Sequence, residues 1–214
     1  MEERVAKVRW LVREGFLRSE RIKKAMLKVQ REEFIPEMYR DYAYLEVPLP
    51  LPGSDATISC PHSYPLFYEA LGLEQGAKFL EVGAGSGYGA ALAREIVGEN
   101  GRVVTLEIDE ETFDFALKNL EKLGYDDVLV VRADGSLGYD QEAPYERVCV
   151  TAACPEIPEP LVNQLGPHGR LVAPVGYRHS QDLVLLEKDR NGVRRRSVEK
   201  VLYVLLRGRH GWQV

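Results

Sequence analysis

The chain has 214 residues, 45% hydrophobic and 29% charged, with a formal net charge of -5 at pH 7. This is globular composition with enough length for one core, and no apolar run approaches the roughly 20 residues that cross a bilayer. The acidic balance argues against a broad phosphate-binding surface, so nucleic acid is a disfavoured partner.

The opening Met1-Glu2-Glu3-Arg4 alternates charge instead of leading into an apolar stretch, so no secretory signal is expected and the chain reads as a cytoplasmic monomer with no membrane partner. Val5, Val8, Leu11 and Val12 share one helical face, and Ser19 can cap a second amphipathic stretch through Ile22, Met26 and Val29. Pro36, Pro48, Pro50 and Pro52 end the helical region, since each fixes its own φ and pushes its predecessor out of helical space. Residues 1–48 are therefore expected to form a helical extension, and 49–76 a loop-and-helix segment.

From Lys78 the pattern changes to short β-rich runs alternating with helical ones, which predicts a mostly parallel sheet with helices on both faces. Strands are expected over Phe79 to Val82, Val103 to Glu107, Val128 to Val131, Val148 to Thr151 and Leu171 to Val175. Helices are expected over Gly89 to Val97, over Glu110 to Leu123 with Gly124 as its stop, and over Pro160 to Leu165. Two more strands, Leu183 to Glu187 and Val198 to Leu206, joined across Asn191-Gly192, would add an antiparallel edge. The reading is one α/β domain over 1–214, with a Rossmann-like core over 77–176 and a hairpin over 177–214.

The run Phe79-Leu80-Glu81-Val82-Gly83-Ala84-Gly85-Ser86-Gly87-Tyr88-Gly89 takes a strand through a glycine-rich turn into a helix. Glycines let backbone approach a ligand closely, and the helix start presents unpaired N–H groups. A dinucleotide turn needs its third glycine at the sixth position, which here is Tyr88. Glu81, two residues before Gly83, would repel a pyrophosphate but suits a cofactor carrying an ammonium and a sulfonium. That is the pattern of Rossmann-like methyltransferases. Glu107, ending the second strand, is placed to accept from both ribose hydroxyls, and Asp134-Gly135 follows the third strand on the same ligand-binding edge. Gly83, Gly85, Gly87, Glu81, Glu107, Asp134 and Gly135 are thus the candidate cofactor residues.

The segment Leu49 to His62, LPLPGSDATISCPH, places Thr57 and Ser59 one residue apart between proline-rich flanks. Together with the glycine-rich turn, Asp134-Gly135, Val150 to Pro158, Gly169 to Gly176, Phe34-Ile35-Pro36 and Val204 to Trp212, it resembles the protein-L-isoaspartate O-methyltransferases over nearly the whole chain. The resemblance implies a methyltransferase sheet, S-adenosylmethionine as cofactor with S-adenosylhomocysteine as product, and isoaspartyl proteins and peptides as partners. It also implies that Ser59 is the active-site serine and that the segment Thr57, Ile58 and Ser59 lines the space between cofactor and substrate; His62 is read separately, as a substrate-cleft residue or as a loop residue bonded to backbone. The ester formed in that family cyclises to a succinimide away from the enzyme. This chain departs from the family pattern at Asp55, Cys60, Ser63-Tyr64-Pro65 and Leu205.

Other groups carry simpler readings. Cys60, Cys149 and Cys154 form no CxxC pair and read as reduced thiols. The four histidines lack metal-ligand spacing, so no metal is expected. Arg194-Arg195-Arg196 fits a charged edge strand. Cys154 stands where RNA cytosine methyltransferases place a nucleophile, and a buried thiol is the alternative. Two rival functions stay open: a family member retargeted to another carboxylate or to RNA, and a cofactor-binding module without catalysis.

Overall fold

The computed structural model describes residues 1–53, 55–190 and 192–213. Helices α1 (Glu2–Arg13) and α2 (Glu20–Lys28) form the amino-terminal layer. Ser19 caps α2 by accepting from the Ile22 N–H, as expected of a short polar residue ahead of an amphipathic run. Val8 and Leu11 are buried, while Val12, expected on their face, is 43% exposed because it has rotated off the stripe that meets the core.

The short strands β1 (Leu49–Pro50) and β2 (Thr57–Ile58) pair antiparallel and lead into α3 (Ser63–Leu71). Then come β3 (Lys78–Val82), α4 (Tyr88–Val97), β4 (Arg102–Glu107), α5 (Glu110–Lys122), β5 (Leu129–Arg132) and β6 (Tyr145–Val150). The chain continues through α6 (Glu159–Asn163), β7 (Leu165–Tyr177), β8 (Ser180–Asp189) and β9 (Gly192–Val201).

One seven-stranded sheet runs in the order β5-β4-β3-β6-β7-β8-β9. The pairs from β5 to β7 are parallel; β7–β8 and β8–β9 are antiparallel. This is a Rossmann-like α/β architecture with the antiparallel edge anticipated from the sequence. The strands run outward from β3 to β5, and the chain then returns to β6 on the other side of β3. The ligand crevice of an open sheet lies at such a reversal, beyond the carboxyl ends of β3 and β6.

Alternation along each strand divides the interior into two cores. Phe79, Val103, Cys149 and Val172 face α1 to α4, whereas Leu80, Val104, Val148 and Leu171 face α6 and the turns around Tyr139. No described helix is long and apolar enough to cross a membrane.

Strands β6, β7 and β8 all begin ahead of the expected spans, and two differences alter the topology near the site. The helix over Pro160 to Leu165 ends at Asn163, and β7 begins at Leu165, because Leu165 pairs with Tyr145 and extends the parallel ladder. The last strand spans Gly192–Val201 rather than Val198 to Leu206; Leu205 instead bridges Ala153. Asn191 of the expected hairpin lies outside the described residues, while Gly192, the first residue of β9, has a φ of 125°, a conformation that favours glycine.

Candidate active site

The carboxyl ends of β3, β4 and β6, the β2 segment and residues 199–207 together enclose a cavity of about 1120 Å³. Its floor is the glycine-rich turn. Gly83 has a φ of 99°, and a Cβ there would lie 2.3 Å from Thr151 Oγ1, so both backbone shape and packing demand glycine. Thr151, at the end of β6, donates its hydroxyl to the carbonyls of Val82 (3.0 Å) and Gly83 (2.9 Å). Behind the turn, Asn119 Nδ2 donates to the Ser86 carbonyl at 3.0 Å, and the Tyr68 hydroxyl donates to the Gly89 carbonyl at 2.8 Å. The loop is held from three sides.

Two acids border this floor. Glu107 Oε2 accepts from the Gly85 N–H at 3.1 Å, and Oε1 accepts from the N–H groups of Ile108 (2.9 Å) and Asp109 (3.1 Å). These three donors orient the carboxylate, which lines the cavity. Glu81 is 2% exposed and accepts from Thr105 Oγ1 at 2.7 Å. Burial pushes its carboxyl up to about 8; the Thr105 bond works against that rise, and the Glu107 charge adds to it. Glu81 lines the cavity as well.

The other predicted cofactor residues divide. Gly85 and Gly135 line the cavity. Gly87 caps α4 at a φ of 84° and faces α5, where a Cβ would lie 3.1 Å from the Ala116 carbonyl, so its role is packing and turn shape rather than cavity lining. Asp134 also sits behind the wall. Its Oδ1 accepts from the Ser136 N–H (2.9 Å) and hydroxyl (2.7 Å), and its Oδ2 from the Arg209 N–H (2.7 Å). These bonds shape the turn and anchor the carboxy-terminal segment.

The opposite wall is built from β2 and the turn that leads from it into α3. Thr57, Ile58, Ser59, Cys60 and His62 all border the cavity. Ile58 is 1% exposed and gives apolar support beneath it. His62 precedes α3, with its Nδ1 2.5 Å from Glu46 Oε2 and its ring 5.1 Å from Phe16. Among the family departures, Tyr64 packs edge-on against Tyr88 at 4.8 Å, and Asp55 takes a φ of 59° at the cavity margin.

Sequence reasoning missed the group that ties this wall to the rest. Arg31 is 1% exposed; its Nε donates to the Ala43 carbonyl at 2.6 Å and its Nη2 to the Ser59 carbonyl at 2.7 Å. The guanidinium carbon lies 5.3 Å from the Tyr88 ring centre and 5.7 Å from that of Tyr64. Arg31 thus links the Ser59 main chain to the first residue of α4. The only sequence signal was its place three residues before Phe34-Ile35-Pro36. Also missed was Arg207, which lines the cavity and pairs with Asp109 at 3.4 Å.

The carboxy-terminal segment closes the remaining side. The Ala153 N–H donates to the Val204 carbonyl and the Leu206 N–H to the Ala153 carbonyl, both at 2.7 Å, and Trp212 Nε1 also reaches the Ala153 carbonyl. Cys154 is fully buried, donates to the Pro174 carbonyl, and burial pushes its thiol up to about 12. It is a core residue, and no reacting group can reach it.

A family model described as protein-L-isoaspartate(D-aspartate) O-methyltransferase matches residues 2–211. The protein-L-isoaspartate O-methyltransferase of Methanopyrus kandleri is 50% identical over 93% of this chain and 88% of its own length. That of Hyperthermus butylicus is 47% identical over 99% of this chain and 91% of its own. Among solved structures, a protein-L-isoaspartate O-methyltransferase superposes with a TM-score of 0.87 at 31% identity, covering 97% of this chain and 67% of its own. A Plasmodium falciparum protein described as a beta-aspartate methyltransferase, solved with S-adenosyl-L-homocysteine, gives 0.83 at 25% identity, covering 94% and 97%. With the sheet order, the glycine-rich floor and these full-length likenesses in agreement, the chain belongs to the protein-L-isoaspartate(D-aspartate) O-methyltransferase family.

Proposed function

We propose that this protein transfers the methyl group of S-adenosylmethionine to the free carboxylate of L-isoaspartyl residues in damaged proteins, with Ser59 facing that carboxylate. The observation that carries the reading is a single cavity whose floor is the glycine-rich turn and whose wall is the Thr57 to His62 segment.

The floor fits the cofactor. Gly83 and Gly85 permit close approach, Glu107 offers oriented carboxylate oxygens for two ribose hydroxyls, and Glu81 offers a buried acid for an ammonium. When bound, S-adenosylmethionine supplies a methyl group on sulfonium sulfur; a carboxylate oxygen forms the new C–O bond while the C–S pair returns to sulfur, leaving S-adenosylhomocysteine. The acceptor is already ionised near neutral pH, with an ordinary pKa of about 4, so no general base is required. What remains for the protein is alignment, exclusion of water and a few donors for a carboxylate leaving bulk solvent. The Ser59 hydroxyl is such a donor, and Arg31 holds its main chain in place. Thr57 and His62 border the same space.

Burial of Cys154 and the net charge of -5 speak against transfer to RNA through a cysteine adduct. Labelled methyl transfer to an isoaspartyl peptide and to its aspartyl twin tests the proposal. Label on the isoaspartyl peptide alone is the expected outcome, and equal labelling of both would overturn it.

A further inference from the structure

We propose that Glu46, Cys60 and His62 form a binding site for a thiophilic divalent cation of the zinc class at the acceptor end of the cavity. One carboxylate oxygen, the thiol sulfur and one imidazole nitrogen lie within 4.8 Å of one another, and all three residues are partly exposed. A sulfur, nitrogen and oxygen set of three is the donor count of an open zinc site, with a fourth position left for water or an incoming ligand. Methyl transfer as described above gives no task to Cys60 or Glu46.

The donors are held before any ion arrives. Lys7 Nζ binds Glu46 Oε1 at 3.0 Å and itself lies 4.5 Å from the Trp10 ring centre, which leaves Oε2 toward His62. The His62 ring rests on Phe16. The Ser63 N–H donates to the Cys60 carbonyl at 3.1 Å, fixing the turn that carries both Cys60 and His62. Outer partners that orient ligands in this way are what metal sites use to tune affinity. The cation would enter where Glu46 Oε2 and His62 Nδ1 now meet, and Cys60 would bind as thiolate, its proton leaving to water. Thiolate and carboxylate offset the ionic charge of a divalent cation, with Lys7 as the outer partner of the carboxylate. Cys149 and Cys154 are fully buried, so Cys60 is the thiol open to an ion.

Cys60 and His62 line the same cavity as Ser59, so a bound ion would occupy the acceptor's path and hold the protein in an inactive form. That consequence rests on the function proposed above; the binding site itself does not.

The test uses the full, tag-free chain with Co²⁺ and then Zn²⁺ as probes. One equivalent of Co²⁺ is expected to give a near-ultraviolet thiolate-to-cobalt band that Cys60→Ala abolishes. Calorimetry should show Zn²⁺ binding weakened roughly 100-fold by Cys60→Ala, and weakened also by Glu46→Gln, with melting temperatures confirming that both variants are folded. Absence of the cobalt band, or equal Zn²⁺ affinity in wild type and Cys60→Ala, would overturn the site. In the transfer assay, one equivalent of Zn²⁺ should suppress wild-type turnover and spare whatever turnover Cys60→Ala retains. Tight binding without suppression would overturn the placement in the acceptor path. An absence of transfer in metal-free wild type would instead count against the function proposed above.

Discussion

The two sides of the cavity are built by different means. The floor comes from consecutive strand ends: β3 delivers Glu81 and Gly83, β4 delivers Glu107, and β6 delivers Thr151, all within one continuous sheet. The acceptor wall is assembled from remote pieces, with Arg31 reaching 28 residues along the chain to Ser59, Glu46 meeting His62, and Val204 pairing with Ala153. A site on parallel strand ends inherits its geometry from the sheet, whereas a site on a short two-stranded ribbon depends on side chains to hold it. Damage to the floor should therefore remove cofactor binding, and damage to the wall should remove turnover first.

The largest effect is expected at the floor. Gly83→Val would force a β-branched residue into a φ of 99° and place its Cβ 2.3 Å from Thr151 Oγ1. Calorimetry with S-adenosylhomocysteine should show affinity reduced more than about 100-fold, equivalent to roughly 3 kcal/mol, with strain of about 1–3 kcal/mol lowering the melting point. Affinity near wild type would mean that the turn does not approach the ligand.

Arg31→Met sharpens the contrast from the wall side. It keeps an apolar stem but leaves the carbonyls of Ala43 and Ser59 without their donor. Chemical denaturation should register a loss of about 2–5 kcal/mol. Under conditions where the variant remains folded, turnover should fall several times more than cofactor affinity does. Equal losses in both would make Arg31 a purely structural residue.

A smaller effect is expected from Glu81. Its carboxyl is raised to about 8 from an ordinary 4.5, so the fold favours the neutral form. That contribution to stability is complete below about pH 4.5 and is lost as pH rises through about 8. Pairing with a ligand ammonium needs the ionised form and releases a proton. S-adenosylhomocysteine affinity should therefore rise with pH between 6 and 8, by up to about tenfold per pH unit. Glu81→Gln should flatten that slope, and a slope retained in the variant would assign the proton elsewhere.

The same division explains how much could be read from the sequence. Strand periodicity and the glycine spacing located β3, α4, β4 and Glu107, because local chain geometry decides them. The Ser136 and Arg209 groups that bond the Asp134 carboxylate were not legible, since its spacing after β5 gives the edge but says nothing of what meets it there. The β7 boundary was missed because Leu165-Gly166-Pro167-His168-Gly169 contains turn residues, and only pairing with β6 draws its first residue into the ladder. Arg31 was invisible for a related reason. A buried arginine is recognised by the carbonyls and rings around it, and Ala43, Ser59, Tyr64 and Tyr88 are scattered along the chain.

The claim that two independently built walls meet at one reaction space is tested most directly by Ser59→Ala, with single-turnover methyl transfer and S-adenosylhomocysteine calorimetry run on the same preparation. A hydrogen bond to a charged group contributes about 1.5–3 kcal/mol, so the rate should fall roughly 10- to 150-fold while cofactor affinity and melting temperature stay near wild type. An unchanged rate, or a rate lost together with affinity and stability, would contradict it.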